Sequence, residues 1–529
     1  MKRLTQYFLI ALFTLSFSSC RQKKIISVKK EPDVQLQVAI NHKSIVTFDS
    51  TQISSFFAAY PDLAKYRKDV ELIYRKYNFH PIWFDEKGVI ECGHALYSKI
   101  RELDKEGIAS VFPRQEKVAG VFEDEIPNSL TNTETDLILS CLYLFYAEKV
   151  VKGVDEKTTT ALEWLLPRKE VSYETLLDST LLNPKLLNKD EQVLFRQYYK
   201  LREVLQKYRE IEKHGGWNII EADPKLKAFK PGDTAKAILQ IRDHLFISGD
   251  ISINSGSNKY DADLVTAVKK YQLRNGKSPN SAITPALIKY MNIPVSESIK
   301  KIIINMERCR WISPEIIKSK ELVFVNIPSF KLNVFRDGII DFESPVVVGK
   351  TMTKTVIFSG NMSFIVFSPY WMLPTSIINS EVKPGMAKNK NYLESHNMEW
   401  NNGQVRQKPG KNNSLGLVKF LFPNSNNIYL HDTPSKSLFE RDSRAFSHGC
   451  VRVGKPRDLA INLLKDDPNW TPAKIDAAMH SGKESWYTLK KKIPVYIGYF
   501  TVLVDQQGEI NFYEDVYKRD ERLYNLLIN

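Results

Sequence analysis

The chain has 529 residues, room for three or four domains, and carries 75 Lys and Arg against 61 Asp and Glu, a formal charge of +14. That excess favours polyanionic surroundings such as lipid surfaces, wall polymers or nucleic acid, and the lack of any nucleic-acid-binding motif sets the last aside. Beyond Cys20 the chain holds Cys92, Cys141, Cys309 and Cys450, too few and too scattered for a disulfide framework.

Lys2 and Arg3 precede an apolar run from Tyr7 to Phe17 that is too short to span a bilayer, and Ser18-Ser19-Cys20 closes it. Residues 1–19 resemble a lipoprotein signal peptide with lipid attached at Cys20. Phe17 stands where such signals carry a small aliphatic residue, so a plain secretory signal is the alternative. Residues 20–48, polar and rich in Lys and Val, read as a tether. This places the protein in the cell envelope, periplasmic and lipid-anchored, with the membrane as a partner. Residues 49–225 read as a helical scaffold, since Ile53, Phe56, Phe57 and Tyr60, then Leu137, Leu139, Tyr143, Leu144 and Val150, recur at helical spacing. His80 and His94 are isolated there and read as structural.

A boundary is expected near Lys230-Pro231-Gly232-Asp233. Ile238, Ile241 and Leu245 form one helical face, and Leu264, Val268 and Tyr271 form a second. Asp261 and Asp263 are cap candidates for the second helix, a commoner use of a D-x-D pair than metal binding. Thr284-Pro285 starts a third. Residues 232–295 resemble the three-helix peptidoglycan-binding domain through Leu245, Gly249, Tyr260-Asp261, Ala267-Val268, Tyr271-Gln272, Thr284 and Leu287, although Lys277-Ser278-Pro279-Asn280 replaces the Asp-Gly usual before the last helix. Residues 296–318 read as a linker helix in which Glu307, Arg310 and Trp311 pack and pair rather than catalyse.

From Leu322 the period shifts toward two. Val323–Ile327, Leu332–Phe335, Ile339–Phe342, Ser344–Gly349 and Ser363–Phe367 read as strands, with Asp337-Gly338 a hairpin turn. Residues 320–520 thus form a β-rich domain, interrupted at 369–422 by an insertion placed to act as a lid. Trp371 and Trp400 within it suit either substrate contact or core packing. Ile428–His431 reads as a strand that delivers His431, Pro456–Leu464 and Pro472–His480 as helices, and Val495–Val504 with Glu509–Tyr513 as a late pair.

Ser447-His448-Gly449-Cys450-Val451-Arg452 lies downstream of His431-Asp432. A cysteine following glycine, with two histidines in reach, suits a thiolate nucleophile, because imidazole has the pKa to take the thiol proton near neutrality. Zinc is the rival chemistry for His431, Asp432, His448 and Cys450, but the paired spacings typical of zinc are missing. The string resembles the signature of the L,D-transpeptidases, cysteine enzymes that cross-link peptidoglycan. Ile302–Trp311 is similar to the linker helix of their large multi-domain forms, and the Pro369–Ile377 segment with Tyr392-Leu393 to their cap. The expected fold is therefore multi-domain α+β, with a helical scaffold, a peptidoglycan-binding domain and a β-rich catalytic domain bearing a cap insertion.

The resemblance implies acyl transfer without a cofactor or metal. Cys450 attacks the carbonyl of the third residue of a tetrapeptide stem and expels the terminal D-alanine. An amine of a second stem then takes the acyl group. His431 is the implied base, with His448 as support or alternate, and Ser447 is a candidate to orient an imidazole. The N–H groups of Gly449 and Cys450 are oxyanion candidates. Arg452, Trp371 and Tyr429 are substrate-contact candidates, Arg452 as a carboxylate holder or a structural ion pair. Water as acceptor would make a carboxypeptidase, and loss of catalysis a wall-binding lipoprotein.

Overall fold

The computed structural model describes residues 48–187, 194–313, 316 and 319–528. The expected signal, Cys20 and all but the last residue of the tether lie outside the described residues. No helix among the described residues is long and apolar enough to cross a membrane.

The N-terminal region is helical, as the spacing predicts. Asp49 and Thr131 build capping boxes for helices Ser50–Ala59 and Asn132–Tyr146, and Ile53, Phe56, Leu137 and Leu144 are buried where the periodicity put them. Two short strands, β1 (Phe84–Asp85) and β2 (Gly88–Val89), form a hairpin within it. A third, β3 (Trp164–Leu165), leaves this region altogether and joins the sheet of the C-terminal domain.

Helices Lys236–Ile247, Ala262–Arg274 and Pro285–Met291 share one core; Asp261 caps the second as expected, Pro285 opens the third as expected, and Thr284 caps it. This core begins earlier than the sequence suggested. Ile220 is buried in it, Phe229 bridges Ile283, and Ile220 N–H donates to Asn292 Oδ1 at 2.8 Å. The break therefore falls between helix Arg196–Lys213 and Ile220, rather than at Lys230. The turn signal at Pro231-Gly232 marks a loop inside the unit.

The C-terminal sheet comprises β4 (Glu321–Asn326), β5 (Lys331–Arg336), β6 (Ile339–Gly349), β7 (Ile357–Phe367), a small cap sheet of β8 (Trp371–Met372), β9 (Met398–Asn401) and β10 (Gln404–Gln407), then β11 (Val418–Leu421), β12 (Leu430–His431), β13 (Ala445–Ser447), β14 (Val451–Val453) and β15 (Ser485–Gly498). Neighbours run β11-β12-β14-β6-β5-β4-β15-β7, and β11 pairs β7 as well, so eight strands close into a ring. Closure removes two exposed edges, and the interior is filled by Val325, Leu332, Val334, Val348, Ile365, Phe420, Leu430, Val453 and Ile497. Asp337 and Gly338 both take positive φ, +50° and +80°, as a tight hairpin turn requires.

Three expectations shift. The insertion ends before Val418, because β11 belongs to the main ring, not to a cap reaching residue 422. Val495–Val504 is not one strand. Its first residues end the long β15, while β16 (Val502–Val504) pairs β17 (Ile510–Phe512). Thr471 caps Pro472–Met479 as predicted, but the stretch that follows, residues 485–492, is strand where none was foreseen.

Linker helix Val295–Trp311 bolts these parts together through buried polar groups. Glu307 takes Arg310 at 2.8 Å, the Trp311 indole at 2.7 Å and the Val154 N–H at 2.6 Å. Arg310 also donates to the carbonyls of Val150 and Glu106 in the N-terminal region. On the other side Arg308 pairs with Asp520 at 2.7 Å, and Asn305 accepts the Thr501 N–H at 3.0 Å. Glu307→Ala would strand a fully buried guanidinium. The expected cost is about 3–5 kcal/mol, read as a lowered urea midpoint at unchanged slope.

Candidate active site

β12 and β14 run parallel, with His431 in register with Arg452, so Cys450 at the entrance of β14 lies beside the end of β12. The backbone before it is a turn: Gly449 sits at φ +117°, a conformation closed to other residues at little cost. Ser447 holds this turn. Its hydroxyl donates to the Cys450 carbonyl at 2.6 Å and accepts the Gly449 N–H at 3.1 Å. Ser447 thus engages the loop backbone rather than an imidazole, and the Gly449 N–H is already spent. The Cys450 N–H meets no acceptor among the described residues.

The Cys450 thiol donates to the Asn427 carbonyl at 3.6 Å and lies within hydrogen-bonding reach of the Tyr429 N–H and hydroxyl. That hydroxyl in turn meets the Trp371 indole from the cap, so Trp371, Tyr429 and Cys450 come together. Trp400, half exposed on β9, does not join them. Burial raises the thiol pKa above its ordinary value, and the Tyr429 donors and the Arg452 charge only partly offset it.

His431 is 5% exposed, and its pKa is lowered to about 3 by burial first and by Arg452 second. Its Nδ1 lies 2.5 Å from the Asp432 carbonyl. A carbonyl only accepts, so Nδ1 carries the hydrogen and Nε2 keeps a lone pair. The Asp432 carboxylate locks the segment by accepting the Leu417 and Thr433 N–H groups at 2.9 and 2.6 Å and pairing with Lys436 at 2.5 Å. Gly416 is required beside it, since a Cβ there would lie 2.3 Å from that carboxylate. Nothing in the sequence separated this role of Asp432 from a ligand's.

His448 is not turned to the thiol. Residues 448–450 bend at Gly449, so the two-residue alternation of a strand does not apply, and the imidazole faces Glu381 of the cap at 3.8 Å, half exposed. Arg452 has no carboxylate within ion-pair reach among the described residues, and its Nε is buried without an acceptor. Lys419, in register with His431 on β11, adds a second cation near the imidazole. No group of three or more His, Cys, Asp or Glu converges on a metal position among the described residues.

With the thiol pKa raised and the imidazole neutral above about pH 3, the resting pair is thiol and imidazole rather than an ion pair. Alkylation of Cys450 should therefore climb steadily with pH through the alkaline range and show no plateau between pH 4 and 7. A stopped-flow profile with iodoacetamide checks this.

Residues 320–475 match the L,D-transpeptidase catalytic domain family, and residues 68–205 match a Scaffold domain. A Haemophilus influenzae protein provisionally named an L,D-transpeptidase is 34% identical over 263 residues, 45% of this chain, and the match spans about half (52%) of that relative's length. Similar solved structures include an L,D-transpeptidase from Mycobacterium smegmatis, 12% identical over 34% of this chain and 58% of that one, TM-score 0.20. Another, from Stackebrandtia nassauensis, is 16% identical over 52% and 97%, TM-score 0.20, and both superpositions are too loose to bear on function. The likeness to the L,D-transpeptidase catalytic domain is thus confined to residues 320–475, the stretch that carries His431 and Cys450.

Proposed function

We propose that the protein is a peptidoglycan L,D-transpeptidase of the cell envelope in which Cys450 forms a thioester with a stem peptide. The observation that carries this reading is the Cys450 thiol set on a turn at the entrance of β14, the strand paired with the one that ends in a buried, neutral His431 whose tautomer is fixed by the Asp432 carbonyl. His431 Nε2 takes the thiol proton as Sγ bonds to the carbonyl carbon of the third stem residue. The Cys450 N–H receives the oxyanion, and collapse breaks the amide bond as the imidazolium protonates the departing D-alanine amine. An amine of a second stem then attacks the thioester, gives its proton to His431, and releases the thiol. Arg452, a cation without a carboxylate partner among the described residues and with its Nε unsatisfied, holds a stem carboxylate. Tyr429 and Trp371 line the approach from the cap. A lipidated Cys20 would keep this chemistry at a membrane.

The test incubates the full chain and its Cys450→Ala variant with purified disaccharide-tetrapeptide and reads products by mass spectrometry. Dimers with loss of alanine, absent in the variant, are the expected result. Alanine loss without dimers would make the protein a carboxypeptidase, and no change in either would leave a wall-binding protein.

A further inference from the structure

A cavity of about 110 Å³ lies where the N-terminal region meets the C-terminal domain, away from Cys450. Leu162, Glu163 and Trp164 form one wall, Arg308 and Trp311 of the linker helix a second, and Lys354, Ile357 and Tyr499 with Tyr517, Lys518, Arg519, Arg522 and Leu523 the rest. Its volume admits several waters or a group the size of phosphate. Its charge is lopsided. Five cations line it, Arg308, Lys354, Lys518, Arg519 and Arg522, against the single carboxylate of Glu163.

Glu163 is committed to Arg519 at 2.5 Å and Lys354 at 3.5 Å, and Arg308 is committed to Asp520. Lys518 and Arg522 have no carboxylate within ion-pair reach among the described residues. The walls also hold two buried donors without an acceptor, Trp164 Nε1 and Arg519 Nε, a costly arrangement for a folded protein to keep. Among the lining residues the uncommitted groups donate or are positive, and the adjacent Asp520 Oδ1, which also lacks a hydrogen bond, is held by its ion pair with Arg308, so a complementary ligand accepts and is negative.

The cavity is wired to the catalytic turn. Arg519 lies over the Tyr499 and Tyr517 rings. The Tyr517 hydroxyl donates to the Gly349 carbonyl at 2.7 Å and accepts the Thr355 N–H at 3.1 Å. The Thr355 hydroxyl donates to the Gly449 carbonyl at 2.7 Å. Gly449 is the neighbour of Cys450, so a shift of the Arg519-Tyr517 stack reaches the nucleophile's turn through two hydrogen bonds.

We propose that this junction is a binding site for a small free oxyanion, a phosphate or a carboxylate, whose occupancy alters the reactivity of Cys450 through Tyr517 and Thr355. Lys518 and Arg522 supply the attraction, and the aromatic walls exclude competing water.

The experiment titrates the full chain with phosphate and separately with acetate, against chloride at matched ionic strength, and follows melting temperature together with the iodoacetamide rate of Cys450. A saturable rise of roughly 1–3 °C is expected with at least one anion. It should need about tenfold more anion in Lys518→Gln/Arg522→Gln, both solvent-side changes that leave the buried pairs intact. The Cys450 alkylation rate should change about twofold or more on saturation, at the lower anion concentration in the parent protein and about tenfold higher in the double variant. An equal response in parent and double variant, or no saturable response to either anion, overturns the site. A response in melting temperature with an unaltered alkylation rate overturns the connection to Cys450.

Discussion

Cys450→Ala is expected to lower turnover of tetrapeptide stems by about 10⁴-fold or more and to abolish any covalent adduct, with melting temperature nearly unchanged. The size follows from the chemistry: without the thiol the two-step exchange through a thioester collapses to direct attack by the acceptor, and only binding and the oxyanion donor remain. The stability expectation follows from the setting. The thiol donates one long hydrogen bond, to Asn427, while Ser447 holds the turn through backbone groups that alanine keeps. Intact-mass analysis after incubation with substrate, beside a thermal melt, checks both halves.

His431→Asn should cost roughly 10²–10⁴-fold in the acylation step, the range for a positioned general base. The defect should shrink as pH rises, because hydroxide increasingly does what the imidazole did and the Cys450 thiol, raised by burial, ionises late. A His448→Asn change should be far milder, since that ring faces Glu381 and not the thiol. Single-turnover acylation rates measured from neutral to alkaline pH distinguish the two histidines. Equal losses would sink the assignment of His431 as base.

The Ser447–Arg452 string stood out in the sequence because its six residues are consecutive and their chemistry is local. The caps at Asp261 and Thr471, the Pro285 helix start and the Asp337-Gly338 turn were readable for the same reason: each is a short-range signal. What escaped was set by contacts between distant segments. β3 pairs β7 across nearly two hundred residues, and no periodicity in Trp164-Leu165 announces it. β11 is only four residues long, and its place in the ring, rather than in the cap, depends on pairing with both β7 and β12. Ile220 joins the three-helix core through a bond to Asn292, while the more conspicuous Pro231-Gly232 drew the boundary too late.

Tyr429 neighbours Cys450 and Trp371, and its ring meets that of His431 edge-on, while Ser447 and His448 take other partners than their spacing suggested. The strand rule of alternating faces fails at residues 448–450 because Gly449 turns the chain. Asp432 contributes its carbonyl to His431 and its carboxylate to the neighbouring loop, a division of labour that residue type alone does not reveal.

The buried bonds of the linker helix have a consequence for how the protein tolerates change over generations. Arg310 and Glu307 tie it to the N-terminal helices, Arg308 and Asn305 tie it to the last turns of the chain, and β3 extends the catalytic sheet from outside. Unfolding of either side orphans charges on the other, so the parts share one fate under quality control. Damaging substitutions deep in the N-terminal helices, far from Cys450, would be felt in the cell as loss of the protein itself, by disappearance rather than by a local defect.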